Sequence, residues 1–510
     1  MTRRNISPIN ISDRRRAGVL LHITCLPSRF GIGDMGPEAY RFVDFLGKTR
    51  MGYWQVLPLT PVDYRDECSP YNCISAFGGN KYLISPEMMV RSGYLIDQEL
   101  RDMPSFTETR VDYPRVVRYK DRLFAKAYER FCGGGGKRRA YLNFCRKNDY
   151  WLSDFGIFLA LKRHMVDRTW AEWPRRFKYR REKVLRVFAR EFRRDIEREK
   201  FLQYVFHEQW RQLKAHCTKC GIQIIGDMPI YVDYESADVW SHPRLFKLGK
   251  SMRPLFVSGV PPDYFSDTGQ LWGNPVYDWN AVRKTGYRWW IQRLAYGLRL
   301  FDYIRLDHFR GFVAYWQVPS RAKTAKNGRW IGAHARDFLK ILSGRFPRLP
   351  LIAEDLGTIT PDVREVMQEF VLPGMKVLLF AFGDGDAANP YLLHNHTPNC
   401  VVYTGTHDNN TVRGWFENEA SDSEKQKLSA YVGKTVNPRR VHEEFIRLAM
   451  MSVAKTVIIP IQDILGLGES ARMNRPASTK GNWRWRMPAR HLTSSLAKRL
   501  RLMNITYGRV

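Results

Sequence analysis

The 510-residue sequence contains no run of about 18 apolar residues, so no helix able to cross a membrane is expected. Its opening stretch, MTRRNISPINISDRRR, is basic and polar without an apolar centre, which is not the profile of a secretory signal. Cysteine is sparse. Cys25, Cys68, Cys73, Cys132, Cys145, Cys217, Cys220 and Cys400 follow no small-scaffold spacing, and in a chain this long they are expected as free thiols. Cys217-Thr-Lys-Cys220 is a lone CxxC with no second pair nearby, so neither a zinc nor a redox site is expected there. A soluble, cytoplasmic protein is the expectation.

Acidic residues are in short supply: 51 Asp and Glu stand against 82 Lys and Arg, a net charge of +31. Such an excess aids solubility and invites anionic partners such as nucleic acid or a membrane surface, but it says nothing of fold. GxSxG, Walker and HExxH motifs are all missing, which removes the usual handles for acyl transfer, nucleotide chemistry and zinc hydrolysis. Gly31-Ile-Gly-Asp-Met-Gly36 spells GxGxxG, yet a loop separates it from the preceding strand and no acid ends the next one. A dinucleotide site needs both features, so these glycines are read as a turn beside a ligand cleft.

What is present is a repeating alternation of apolar strands and helical stretches. Gly18–Ile23, Tyr53–Leu59, Ile222–Ile230, the run within Phe301–Gly311, Pro350–Leu356, Met375–Phe382, Cys400–Thr406 and Thr456–Leu465 read as buried parallel strands. This pattern, with 44% hydrophobic residues, predicts one (β/α)₈ barrel spanning the chain. Residues 86–217 lose the strand pattern and are expected as a mainly helical insertion after the second strand, with Gly133–Gly136 as a flexible joint. Val184, Phe188, Phe192 and Ile196 recur every fourth residue as one apolar stripe on an Arg-rich helix. Phe177 and Tyr179 among the arginines admit a nucleic-acid-binding protein, the reading from another class; a solvated helical face explains the same letters and is preferred. Neither nucleic acid nor a membrane is therefore expected as a partner. Residues 250–280 are expected as a substrate-covering loop region, because Tyr264, Phe265 and Trp272 sit in a stretch too rich in Gly and Pro for a core.

Phe301–Gly311, FDYIRLDHFRG, sets Arg305 and Asp307 two apart, on one face of a strand. Two further strand runs end in charge, at Glu354-Asp355 and at His407-Asp408. Asp355 suits a helix N-cap. The other acids would converge at the C-terminal rim of a barrel, where mutual repulsion and desolvation cost several kcal/mol. Paired carboxylates beside aromatic loops fit glycosyl transfer through an oxocarbenium-like transition state. Arg305 would hold Asp307 anionic as nucleophile; Glu354, with no adjacent cation, is the better acid/base; Asp408 with His407 would stabilise developing charge.

The ordered segments LPSRFGIGDMG, SPY, SAFGGNKYLI, GDMPIYV, GVPPDYFSDTGQLWGNPVYDW, RLDHFRG, AEDLG, GTHDNNT, DILGLGESARMN and GNWRWR resemble the 4-α-glucanotransferase (amylomaltase) family, related to the α-amylases. The resemblance runs from about Gly18 to Arg486 and is weakest over residues 86–217. It implies a retaining enzyme that moves an α-1,4-glucan segment to the 4-hydroxyl of another glucan, without a metal or other cofactor. Substrates would be maltooligosaccharides, glycogen or starch-derived dextrins; an α-glucan hydrolase is the alternative within this class. Carried over by motif, Asp307 is the nucleophile, Glu354 the acid/base and Asp408 the transition-state stabiliser. Asp227, Arg305, His308 and His407 would contact the sugar at the cleaved bond. Tyr71, Tyr264, Phe265, Gln270, Trp272 and Asn474 would form glucan subsites, with Tyr264 and Phe265 on a loop arching over the chain. Asn410 stands where the family often has an acid, and Leu306 where it often has Ile.

Overall fold

The computed structural model describes residues 14–64, 68–134, 138–166, 168–262, 266–383, 385–476, 478 and 480–510. Eight parallel strands form a nearly closed barrel. They are β1 (Arg16–Leu20), β2 (Tyr53–Gln55), β3 (Gln223–Met228), β6 (Tyr303–Leu306), β9 (Leu351–Ala353), β10 (Gly374–Val377), β11 (Cys400–Tyr403) and β12 (Thr456–Pro460). Their order around the barrel is β10-β11-β12-β1-β2-β3-β6-β9. Between the end strands of that order, the Ala353 N–H donates to the Pro373 carbonyl at 2.9 Å. Each expected strand is found, and each is shorter than its apolar run. Val56, Leu57 and Leu59 stay buried beyond the end of β2, and the run through Thr456 turns into a helix at Ile461–Ile464. An apolar run reports burial, and burial continues where ladder pairing stops. Gly18 allows β1 and β2 to meet: a Cβ there would lie 2.4 Å from the Tyr53 Cβ.

Between β3 and β9 the chain adds a four-stranded antiparallel sheet. It comprises β4 (Phe256–Val260), β5 (Gln270–Pro275), β7 (Ala314–Pro319) and β8 (Arg329–Gly332), in the order β5-β4-β7-β8. Residues 250–280, expected as loop, thus hold a hairpin in which Val260 pairs with Gln270. Tyr264 and Phe265, between these strands in the sequence, lie outside the described residues. Pro261, Pro262 and Gly269 lie between the two strands, Gly259 and Gly273 lie within them, with Gly273 at φ 82° where the pairing shifts register, and Leu271 and Trp272 supply the strand character.

The chain between β2 and β3 is mainly helical. Helix Tyr113–Cys132 starts where Asp112 accepts from the Arg115 N–H, with Pro114 in the first turn, and it buries Val116, Tyr119, Leu123, Phe124, Ala127 and Phe131. Of the glycine joint, Gly133 and Gly134 follow this helix; Gly135 and Gly136 lie outside the described residues. The apolar stripe sits on two helices, Glu182–Glu191 and Arg193–Lys219, which meet at Phe192. The Phe192 N–H still bonds to the Phe188 carbonyl, so the stripe keeps its register through the break and buries Phe188 and Ile196. Arg186, Arg190, Arg193 and Arg194 face solvent on the other side.

The GxGxxG turn is buried throughout. Asp34 within it is buried, accepts from the Gly36 N–H at 3.0 Å, and pairs with the fully buried Lys120 at 3.2 Å. Lys120 also donates to the carbonyls of Tyr82 and Ile84, so the turn fastens helix Tyr113–Cys132 to the first barrel loop. No helix among the described residues is long and apolar enough to cross a membrane.

Candidate active site

The site is built on the pairing of β3 with β6, whose register sets Asp227 opposite Arg305. Arg305 Nη1 donates to Asp227 Oδ1 at 2.8 Å and Oδ2 at 2.9 Å, and to Asp307 Oδ1 at 2.9 Å. Arg305 and Asp307 therefore do share a face, as their spacing requires. The guanidinium, however, is divided between two acids, and sequence spacing named only one of them. Arg305 and Asp227 are almost wholly enclosed, while the Asp307 side chain keeps 25% exposure.

Glu354 follows β9 directly, and its carboxylate is held by main chain. Its Oε2 accepts from the His308 N–H at 2.7 Å and its Oε1 from the Leu356 N–H at 2.8 Å. The first donor belongs to the residue after Asp307, so one backbone step links the two acids. His308 occupies the left-handed region at φ 49°, an uncommon conformation for a residue with a Cβ. Asp355 does not cap a helix. Its Oδ1 accepts from the Met375 N–H at 2.6 Å, tying the end of β9 to β10.

Asp408 comes from the loop after β11. Its Oδ1 accepts from Asn474 Nδ2 at 2.7 Å and its Oδ2 lies 3.3 Å from His407 Nε2. The same imidazole nitrogen is 2.7 Å from the Tyr71 hydroxyl, which donates to Asp227 Oδ2 at 2.7 Å. The Tyr71 ring lies stacked on His407, with centroids 5.3 Å apart. A continuous polar chain thus runs from Asp408 through His407, Tyr71, Asp227 and Arg305 to Asp307.

Burial sets the protonation of this cluster. It pushes Asp307 up to about 7 against the pull of Arg305, with the charges of Asp227, Glu354 and Asp408 adding to the rise. Burial also raises Glu354, opposed by Arg305 and the two backbone donors. Asp408 goes the other way. Burial would raise it, but the His407 charge with the His407 and Asn474 hydrogen bonds holds it well below the usual carboxylate range. Burial acts to lower His407, and the Asp408 carboxylate more than reverses this, so His407 is raised.

Trp272 on β5 is half-exposed and meets the His308 ring edge-on at 4.8 Å, which places the second sheet beside the acids. Its indole N–H donates to Gln270 Oε1 at 3.1 Å. Asn410 donates to Glu419 Oε1 at 3.0 Å, a bond an ionised acid at that position could not donate. Leu306 is buried. Two residues went unassigned in the sequence although their motifs were singled out. Arg472 donates to the carbonyls of Asp408 and Asn474 and pairs with Glu419, clamping the loop that carries Asp408. Trp483 sits 5.9 Å from both the Tyr71 and His407 rings.

Comparison with known proteins gives one consistent result. Residues 21–493 match the family model described as 4-alpha-glucanotransferase, glycoside hydrolase family 77. The 4-alpha-glucanotransferase of Aquifex aeolicus is 46% identical over 475 residues, covering 93% of this chain and 95% of the relative. That of Synechocystis sp. is 43% identical over 502 residues, 98% of each. Among solved structures, the amylomaltase from Streptococcus agalactiae in complex with acarbose superposes with a TM-score of 0.93 at 36% identity, covering 97% of this chain and 100% of that one.

Proposed function

This chain belongs to the 4-α-glucanotransferase family, and from that premise we propose that it disproportionates α-1,4-glucans by a retaining mechanism centred on Asp307, Glu354 and Asp408. The observation that carries this reading is the meeting of three acids at barrel strand ends, each in a different electrostatic setting. Arg305 engages Asp307 Oδ1, which leaves Oδ2 to attack the anomeric carbon. As that bond forms, the Glu354 carboxyl gives its proton to the departing glucan oxygen, and the donor segment becomes an ester of Asp307. Glu354, now a carboxylate, takes the proton of the acceptor 4-hydroxyl. That oxygen attacks the anomeric carbon and frees Asp307. One α-1,4 bond is broken and one is made.

The surroundings of Glu354 suit both halves of this cycle. Burial favours the acid form needed first, and the two backbone N–H groups support the carboxylate needed second. Asp408 stays anionic with 44% of its side chain exposed, and it would face the oxocarbenium charge. Asp227, Arg305, His308 and His407 would contact the sugar at the cleaved bond, and Tyr71, Gln270, Trp272 and Asn474 would hold neighbouring glucose units. Tyr264 and Phe265 remain candidates for the arching loop. Maltooligosaccharides, glycogen and starch-derived dextrins are the substrates we infer. The cytoplasm is the compartment we infer, in keeping with eight free thiols. The basic helical layer at 86–217 is read as an inserted subdomain with a solvated face. Incubation with maltotriose tests the reading: glucose plus a ladder of longer maltodextrins is expected. Glucose and maltose without lengthening would make the protein an α-glucan hydrolase instead.

A further inference from the structure

Far from the carboxylates, three donor groups of different chemistry meet between two helices. Asp44 lies on helix Pro37–Thr49, His216 lies in the last turn of helix Arg193–Lys219, and Cys220 caps that helix. His216 Nε2 is 2.7 Å from Asp44 Oδ1, while Cys220 Sγ is 3.8 Å from His216 Nε2 and 3.9 Å from Asp44 Oδ1. We propose that Asp44, His216 and Cys220 form a binding site for a thiophilic divalent cation, of which zinc is the expected occupant.

A surface ion pair between His216 and Asp44 would account for the shortest distance, but it leaves the thiol unexplained. Cys220 and His216 are four residues apart on one helix face, and the Cys220 N–H bonds back to the His216 carbonyl at 3.0 Å. The sulfur is therefore aimed by regular helix geometry. Gly47, one turn beyond Asp44, faces Cys220 across the helix contact: a Cβ on it would meet the Cys220 Cβ in ordinary contact at 3.7 Å. A tetrahedral zinc with ordinary bond lengths holds its ligand atoms about 3.3–3.6 Å apart. The sulfur must close by a few tenths of an ångström and the Asp44–His216 pair must open by somewhat more, both within rotamer adjustment. His216 keeps 26% and Asp44 49% side-chain exposure, so an ion can enter and water can take the fourth position. A thiolate, an imidazole and one carboxylate select zinc or cobalt over magnesium or calcium. On binding, the Cys220 thiol proton passes to buffer as the metal–sulfur bond forms, and the Nε2 proton that faces Asp44 passes to buffer or to Nδ1, freeing the Nε2 lone pair for the metal. Cys217 takes no part, since its side chain is buried in the core.

The two helices lead into β2 and β3, so the site lies at the N-terminal rim of the barrel, opposite the acids. It should act on stability and leave turnover unchanged.

The test uses the untagged full-length protein after treatment with a chelator. Cobalt(II) titration should give one equivalent of binding with a thiolate-to-cobalt charge-transfer band, which zinc displaces. The band should vanish in Cys220→Ser, weaken in His216→Asn and persist in Cys132→Ser, which removes an exposed cysteine elsewhere. In the wild-type chain, zinc at ten times its dissociation constant should slow alkylation of Cys220, mapped by mass spectrometry, about ten-fold. This readout holds even if Cys220→Ser fails to fold. Absence of the band, a band that survives in a folded Cys220→Ser, or unprotected Cys220 would each overturn the proposal.

Discussion

Replacing Asp227 by Asn should move the acid limb of the pH–rate profile to lower pH. Asp227 and Asp307 both accept from Arg305 Nη1, at 2.8–2.9 Å, so their carboxylates stand close together. For oxygens about 5 Å apart at an effective dielectric constant of about 20, the repulsion is about 3 kcal/mol, or about two pH units. A neutral amide in place of the Asp227 carboxylate would remove this repulsion and leave Arg305 to Asp307 alone, and both changes favour ionised Asp307. Because Asp307 is raised to about 7 in the native site, kcat/KM should fall below roughly that pH, and the variant's fall should begin one to two units lower. The maximal rate should also drop, since Tyr71 loses its charged acceptor. Arg305 keeps one acidic partner, so the fold should hold; circular dichroism and a melting curve check this. The assay is glucose release from maltotriose between pH 4 and 8. An acid limb that stays in place or moves upward in a folded variant would refute the electrostatic account of Arg305.

Asp307→Asn should lose about 10⁴-fold or more in transfer rate, because no covalent route remains; near-normal turnover would dismiss Asp307 as nucleophile. The same variant should gain stability over the wild type at pH 8, with the gain vanishing near pH 4. The raised native value of Asp307 means that its ionisation costs the folded state stability as pH rises from about 4 through about 7, a cost Asn does not carry. Denaturant melts at the two pH values measure this difference. Lys120→Met should cost about 3–5 kcal/mol by stranding buried Asp34, and adding Asp34→Asn should recover part of that loss. A single-variant cost below about 1 kcal/mol would show that the helical insertion is fastened elsewhere.

The sequence alone determined the barrel and the placing of Asp307, Glu354 and Asp408 after its strands, and the reason is local. A parallel strand buried on both faces must be apolar along its length, so eight such runs stand out, and acids directly after them fall at the rim that follows. The two-residue spacing of Arg305 and Asp307 likewise demands a shared face. What Arg305 does there was decided by the neighbour relation of β3 to β6, which brings in Asp227 from 78 residues away. Protonation was decided by enclosure, since a low-dielectric site raises Asp307 where a solvated Arg–Asp pair would lower it. The clamp of Arg472 on Asp408 and the meeting of Asp44 with His216 and Cys220 likewise join groups that no periodicity relates. Periodicity records which face of an element is buried. Only packing records what that face meets.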